Sequence, residues 1–309
     1  MSVVVFAGGG MPLQKVLEAA VTLTNVTIAR VFTDLVTDAN IVRFCDKRGF
    51  TTADIKLLRS SAVNASVPDH DWFFSVNSTV IFSPEVLRRP RAGALNMHPG
   101  RLPDYAGLHT HQWAIRNGEI EFAATLHWMT ETLDAGDIAF IKTFPVKAKE
   151  TGISLFLKCL SAGAGLVTQA LEHIAAGTPL PRLPQDLTRR HLYRAVDARD
   201  GTIDWRQSAL AIERFVRAAD YSPLVCPTYT PTTHLGAETL SVHKAEATEL
   251  RQAAEPGQVI SIVAGAITVA AGDGRALIIS RCRDSRGKII TGDKDGDGAI
   301  EIVEGSRLS

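Results

Sequence analysis

The sequence is poor in cysteine, shows no excess of either charge and has no long apolar run, and each lack narrows what the chain can be. Four cysteines occur in 309 residues: Cys45, Cys159, Cys226 and Cys282. They stand far apart and form no CxxC pair. That leaves no zinc-ribbon spacing and no disulfide framework, and favours free thiols in a reducing compartment. Lys plus Arg and Asp plus Glu are equal at 33 each. A net charge of zero gives no broad electrostatic footprint for nucleic acid, although a local basic patch stays open. No apolar run reaches the ~18 residues that mark a membrane helix. The opening MSVVVFAGGG has no basic stretch ahead of its short apolar run, so no secretion signal is read. The expected location is the cytoplasm, with no membrane partner. Repeats and low-complexity tracts are also missing.

What is present fits a globular protein, with 45% hydrophobic and 21% charged residues. The length suits two domains. Residues 3–7 are apolar and mostly β-branched. Gly8, Gly9 and Gly10 follow, then Pro12 in a helical pattern with Leu13, Val16, Leu17 and Ala20. Strand, glycine turn and helix open a parallel α/β domain. Strands are expected at 26–32, 72–76, 92–97, 122–129 and 138–146, and helices at 38–49, 83–87, 109–116 and 153–176. Gly163 and Gly165 weaken the middle of the last helix. Ser83 is placed to cap its helix, with Pro84 at the first helical position.

Residues 178–190, TPLPRLPQDLTRR, hold three prolines within six positions and read as a stiff, extended connector. The boundary between domains 1–190 and 200–309 is placed there. Beyond it, Ile212, Phe215, Val216 and Ala219 form one helix face. Short β-type runs at 238–242, 258–263, 266–270 and 275–280 suggest a small β-barrel.

The chemistry sits in residues 96–119, NMHPGRLPDYAGLHTHQWAIRNGE, and in LDAGDI at 133–138. Alternate side chains of a strand share a face, so Asn96 and His98 project together while Met97 turns away. Pro99 ends the ladder. The pair thus lies at a strand's carboxyl end, where open α/β sheets bind ligands. Gly8–Gly10 is no dinucleotide fingerprint, since the pattern needs glycine where Leu13 stands.

These residues resemble the folate-dependent formyltransferases, over residues 1 to about 190. The shared signature is N-x-H-P, then Leu-Pro, a Gly, and an Asp in an L-D-x-G segment. Here it is met by Asn96, His98, Pro99, Leu102-Pro103, Gly107 and Asp134, with Asp134 38 residues after Asn96. Residues 200–220 resemble the start of the second domain of the longer members, such as methionyl-tRNA formyltransferase. The resemblance implies a Rossmann-like, mostly parallel α/β domain followed by a smaller OB-like β-barrel domain. It also implies that 10-formyltetrahydrofolate gives its formyl group to an amine.

In that reaction negative charge grows on the formyl oxygen, which the Asn96 amide suits. A proton must leave the amine and reach the folate nitrogen, which His98 suits. Asp134 would orient the imidazole and favour its charged form. By the resemblance, the pterin slot is built mainly from backbone at Val80, Ile81 and Phe82 and at Met129, Thr130 and Leu133, with Asp137 in the same turn. Gly9, Gly10, Tyr105, His109 and His111 fall on the acceptor side.

The expected acceptor is a small amine, either an amino acid such as hydroxyornithine in siderophore and natural-product assembly, or an amino sugar. Three alternatives stay open: methionyl-tRNA formyltransferase, a formyltetrahydrofolate hydrolase and an inactive folate-binding module. The zero net charge and the acidic tail weigh against a tRNA, and the intact trio weighs against an inactive module. One motif stands outside the resemblance. Asp293, Asp295, Asp297, Gly298 and Glu304 occupy positions 1, 3, 5, 6 and 12 of an EF-hand calcium loop, without flanking helices. A structural Ca²⁺ site and a solvated acidic turn are both compatible with it.

Overall fold

The computed structural model describes residues 1–60, 67–198, 200–290 and 302–309. The chain forms two compact units. One comprises Met1–Thr110, Glu121–Pro145 and Phe156–Tyr193, and the other His111–Ile120, Val146–Leu155 and Arg194–Ser309.

The first unit is built on β1 (Ser2–Gly8), α1 (Gly10–Ala20), β2 (Val26–Thr33), α2 (Ala39–Lys47), β3 (Thr52–Asp54), β4 (Trp72–Val76), α3 (Pro84–Arg88) and β5 (Gly93–His98). The chain continues through the two-residue β6 (Ala106–Gly107), α4 (Thr110–Asn117), β7 (Glu121–Trp128), β8 (Ile138–Pro145), α5 (Gly152–Ala175) and β9 (Leu192–Tyr193), of which α4 from His111 on and α5 up to Leu155 fall in the second unit. Seven strands form one sheet in the order β3-β2-β1-β4-β5-β7-β8. The first five run parallel, and β7 and β8 join antiparallel.

A strand covered on both faces has no solvent side, so it needs an unbroken apolar run. Val4, Val5, Phe6 and Ala7 of β1 are all fully buried. The strands expected from the pattern are all present. The three-residue edge strand β3 was too short to leave one. Ser83 caps α3 as expected, its Oγ accepting from the Val86 N–H, with Pro84 at the helix start.

Of the two glycines that weaken the middle of α5, Gly163 also has a packing reason. A β-carbon at Gly163 would fall 2.5 Å from Cγ of Met97. The missing side chain lets α5 lie against the strand that carries Asn96 and His98. By length and composition α5 could cross a bilayer. Its Val167, Ala170 and Leu171 are nevertheless fully buried in the core of the first unit. Each large side chain so buried contributes about 1.5–3 kcal/mol.

The second unit carries α6 (Ala209–Ala218), capped by the Ser208 hydroxyl, and an antiparallel sheet. Its strands are β10 (Thr232–Leu235), β11 (Glu238–Arg251), β12 (Val259–Val263), β13 (Ala266–Ala270), β14 (Arg275–Arg283) and β15 (Ile289–Ile290). They order as β10-β11-β14-β13-β12, with β15 on β14. The run expected to stop at 242 continues to Arg251. Register shifts at Val242/Lys244, Lys244/Ala245 and Ala247/Arg251 break the alternation by which a strand is recognised. The chain's last residues bridge both edges of the sheet: Leu308 pairs with Leu235 of β10, and Arg307 pairs with Gln258 just before β12.

Candidate functional site

The site lies where β5 and β7 run side by side at the end of the parallel sheet. Register places Asn96 opposite His127 and His98 opposite Thr125. The fully buried Thr125 tethers the loop that follows β5: its hydroxyl donates to Gly100 O at 2.7 Å and accepts from the Leu102 N–H at 3.3 Å. Thr110 Oγ1 donates to Pro99 O at 2.9 Å. The Arg101 side chain lies 3.6 Å from Asp104, which also takes Arg189 at 2.7 Å.

His98 is buried, and its Nε2 lies 2.7 Å from Tyr105 O. A carbonyl only accepts, so Nε2 carries the proton and Nδ1 is the titrating atom. Nδ1 stands 3.6 Å from Oδ2 of Asp134. The shortest contact orienting this ring is therefore the Tyr105 carbonyl, and Asp134 faces the nitrogen that gains or loses a proton. Burial pulls the His98 pKa below its usual value. The Asp134 charge pushes it back up, and His127 adds a smaller downward push.

Asp134 is also buried. Burial opposes its ionisation, but His98, His127 and the Gly107 N–H outweigh this and hold the carboxyl below the usual carboxylate range. The Gly107 N–H donates to Oδ2 at 2.8 Å. Gly107 has φ +92°, and a β-carbon there would sit 2.2 Å from Tyr193 O, so only glycine fits. Asp134 itself adopts φ +53°, a left-handed conformation rare outside glycine, asparagine and aspartate.

His127 completes the cluster, and no motif in the sequence singles it out. Its Nδ1 lies 2.9 Å from Trp128 O and its Nε2 3.1 Å from Asn96 Nδ2. With Nδ1 donating to a carbonyl, Nε2 accepts from the Asn96 amide. One Asn96 N–H is thereby fixed and the second is left to point elsewhere. Nε2 also lies 3.4 Å from Asp134 Oδ1. Only an antiparallel register brings His127 to Asn96 across 31 positions, and no sequence pattern announces that register.

The remaining expected residues are placed less closely. Val80 and Phe82 are buried and share an apolar cluster with Met129, while Ile81 is exposed. The Val80 and Phe82 side chains are thus core. The Thr130 hydroxyl donates to Thr132 O at 2.9 Å, within the turn that holds the half-exposed Leu133. Asp137 lies 3.8 Å from Arg182. Gly10 N donates to Asp38 Oδ1 at 2.9 Å, and Gly9 packs against the same carboxylate. Tyr105 reaches the trio through its carbonyl, while its ring stacks on Tyr193 with centroids 5.3 Å apart. His109 is half-buried at φ +55°, and burial lowers its pKa. His111 belongs to the second unit, where its Nε2 bonds the Tyr221 hydroxyl. Asp293, Asp295 and Asp297 lie outside the described residues, and Glu304 is exposed. Among the described residues no group of three or more His, Cys, Asp or Glu is arranged to hold a metal.

An amide donor, an imidazole and a carboxylate from the turn after β7 meet beside β5, a set whose chemistry is compatible with transfer of a carbonyl-centred group. Comparison with known proteins names the group. Residues 59–171 match the family model described as formyl transferase, and residues 195–295 match the formyl transferase C-terminal domain. The chain is 30% identical to methionyl-tRNA formyltransferase of Synechococcus sp. over 245 residues, 77% of this chain and 71% of that protein. It is 32% identical to the Moorella thermoacetica enzyme of the same name over 200 residues, 65% of this chain and 62% of that one. Its fold is similar to an N-formyltransferase from Helicobacter canadensis solved with folinic acid and dTDP-3-aminofucose, at TM-score 0.68 and 18% identity, covering 90% of this chain and 99% of that chain. It is equally similar to WlaRD, a sugar 3N-formyl transferase, at TM-score 0.68 and 16% identity, covering 90% and 97%. The chain belongs to the formyl transferase family and is an enzyme that transfers formyl groups.

Proposed function

We propose that the enzyme moves the formyl group of 10-formyltetrahydrofolate to an amine of a small molecule, with Asn96, His98 and Asp134 as its catalytic residues. The observation carrying this reading is the convergence of the three side chains, with His98 3.6 Å from Asp134 and Asn96 held by His127 at 3.1 Å. Solved relatives of this fold contain folinic acid, 5-N-formyl-THF or tetrahydrofolic acid, which supports a folate donor here.

The amine nitrogen attacks the formyl carbon and a C–N bond forms. The formyl oxygen becomes an oxyanion, which the free N–H of Asn96 stabilises. Nδ1 of His98 takes the proton shed by the amine, and the ionised Asp134 beside it stabilises the imidazolium. The bond between the formyl carbon and N10 breaks, and the proton passes to N10. The products are the formamide and tetrahydrofolate. Backbone of residues 80–82 and 129–134 would hold the pterin, and the segment around Gly9, Gly10 and His109 would face the acceptor. All three catalytic residues stand in the first unit, in keeping with a catalytic domain over 1–190. The second, over 200–309, is read as an OB-like domain. Four free thiols suit a cytoplasmic enzyme.

A small acceptor is favoured over a tRNA by charge. Residues 194–309 hold 14 Lys and Arg against 16 Asp and Glu, net −2, a poor surface for a polyanion. Fold neighbours that are sugar N-formyltransferases, one of them solved with dTDP-3-aminofucose, point the same way. A methionyl-tRNA acceptor is the second reading, because the curated relatives carry that name. The test follows tetrahydrofolate release from 10-formyltetrahydrofolate with dTDP-3-aminofucose, N-hydroxyornithine, methionyl-tRNA or no acceptor. Turnover with a small amine supports the proposal. Turnover with methionyl-tRNA alone replaces it with the second reading, and turnover without acceptor makes the enzyme a hydrolase.

A further inference from the structure

The connector after α5 does more than join two parts of the chain. It runs along the turn that carries Asp134 and binds that turn's backbone at several points. Ile138 and Leu183 exchange both backbone hydrogen bonds, at 2.8 and 3.0 Å. Trp128 Nε1 donates to Pro181 O at 2.8 Å, and the Arg182 guanidinium lies 3.4 Å above the Trp128 ring. With the connector anchored in this way, Gln185 Nε2 donates to Asp134 O at 3.0 Å and to Gly136 O at 2.5 Å. Arg190 Nη2 donates to Leu133 O at 2.9 Å. Three carbonyls within four residues thus receive their side-chain donors from one short segment.

The amide of Gln185 can sit only one way round. Reversed, its oxygen would face two carbonyl oxygens. As placed, Oε1 is buried and pairs with no protein group among the described residues, so the side chain gives up its own acceptor to serve the turn. What it serves is an unusual conformation. Asp134 at φ +53° is in a left-handed conformation that an aspartate tolerates at some cost and that bonds from its surroundings stabilise. Its side chain is held by the Gly107 N–H, and its main chain by Gln185.

We propose that Gln185 is a positioning residue for formyl transfer: its carboxamide holds the Asp134 backbone in the left-handed conformation that aims the carboxylate at Nδ1 of His98. This rests on the role given to Asp134 above. Gln185 touches no reacting group and acts through the turn that carries Asp134. Arg190 supports the same turn one residue earlier.

The experiment compares wild type, Gln185→Met, Asp134→Asn and the double variant, using 10-formyltetrahydrofolate and the fastest acceptor among dTDP-3-aminofucose, N-hydroxyornithine and methionyl-tRNA. Methionine keeps the length of the side chain and removes only the amide. A displacement of about 1 Å at a reacting centre costs on the order of 10² in rate. Gln185→Met is therefore expected to lower kcat roughly tenfold to a hundredfold, with acceptor KM within about threefold. NMR titration of the His98 ring should show it protonating at lower pH in Gln185→Met, because the carboxylate that supports its charge has drifted. In the Asp134→Asn background the same substitution should cost nothing more. Wild-type kcat and His98 titration in Gln185→Met would overturn the proposal. So would an equal fractional loss in both backgrounds, which marks a merely structural side chain. Full activity in Asp134→Asn would instead remove the reading of Asp134 on which this one rests. Should Gln185→Met fail to fold, Gln185→Asn, which withdraws the donor by one methylene, gives the same readings.

Discussion

Asn96 and His127 face each other across the antiparallel seam of β5 and β7, with Nδ2 of one 3.1 Å from Nε2 of the other. The imidazole engages one amide N–H and so fixes the direction of the second. Asn96→Ala removes the amide proposed as oxyanion donor and is expected to lower kcat by about 10²–10³ while KM for 10-formyltetrahydrofolate stays within a few-fold. Steady-state kinetics decide this. A variant that kept wild-type kcat would take Asn96 out of the mechanism.

His98 must be neutral to accept a proton, and its burial holds its pKa below the usual histidine value. The acid limb of kcat/KM, which reports the free enzyme, should lie below about pH 6.5. Asp134 pushes that pKa upward, so Asp134→Asn should move the limb further toward acid as well as lower the rate. A pH–rate profile whose limb stayed fixed or moved up in Asp134→Asn would contradict the assignment.

The same groups set how stability responds to acid. Asp134 has a folded pKa below its unfolded value of 3.8. Its contribution is therefore full above pH 3.8 and is lost as pH falls toward the folded pKa. His98 and His70, both lowered by burial, act in the same direction at higher pH. The unfolded chain binds their protons more readily, so stability declines below about 6.5. Thermal melts between pH 7 and 3 should fall monotonically. Asp134→Asn should flatten the part of the curve below pH 4, and an unchanged slope there would count against the ionised, buried carboxylate.

Gly163 is a packing requirement. With its β-carbon 2.5 Å from Met97 Cγ, Gly163→Val should destabilise the first unit by about 1–3 kcal/mol through overpacking. Pairing it with Met97→Ala should recover part of that loss, because the two changes share one space. Urea titration of the single and double variants measures it, and simple additivity would show that the two do not meet.

Leu308 is 2% exposed and lies in the core of the second unit, next to backbone bridges to both sheet edges. Leu308→Ala should cost that unit about 2–5 kcal/mol. Hydrogen exchange should rise first in β10 and β12, the strands the tail joins. Loss confined to the tail itself would mean that it does not hold the edges together.

The parallel sheet was legible because its strands are buried on both faces and read as unbroken apolar runs between turn residues. Asn96 and His98 were legible because alternation along a strand is fixed by the backbone alone. Asp134 was singled out by its spacing within a family signature, since nothing local sets an aspartate at the tip of a turn apart. β11 was read too short because its bulges interrupt the period of two, and β10 and β15 are too brief to have one.

The sequence by itself determined the order of the longer elements, the face shared by Asn96 and His98 and the cap of α3, which depend on interactions between near neighbours in the chain, and it carried the family signature as a spacing from Asn96 to Asp134. Tertiary structure alone decided that His127 reaches Asn96, that the Tyr105 carbonyl orients His98, that Gly163 makes room for Met97 and that Gln185 holds the turn of Asp134. Each of these joins residues separated by 7 to 66 positions along the chain, and only register and packing, which a linear pattern does not encode, bring such groups to contact distance.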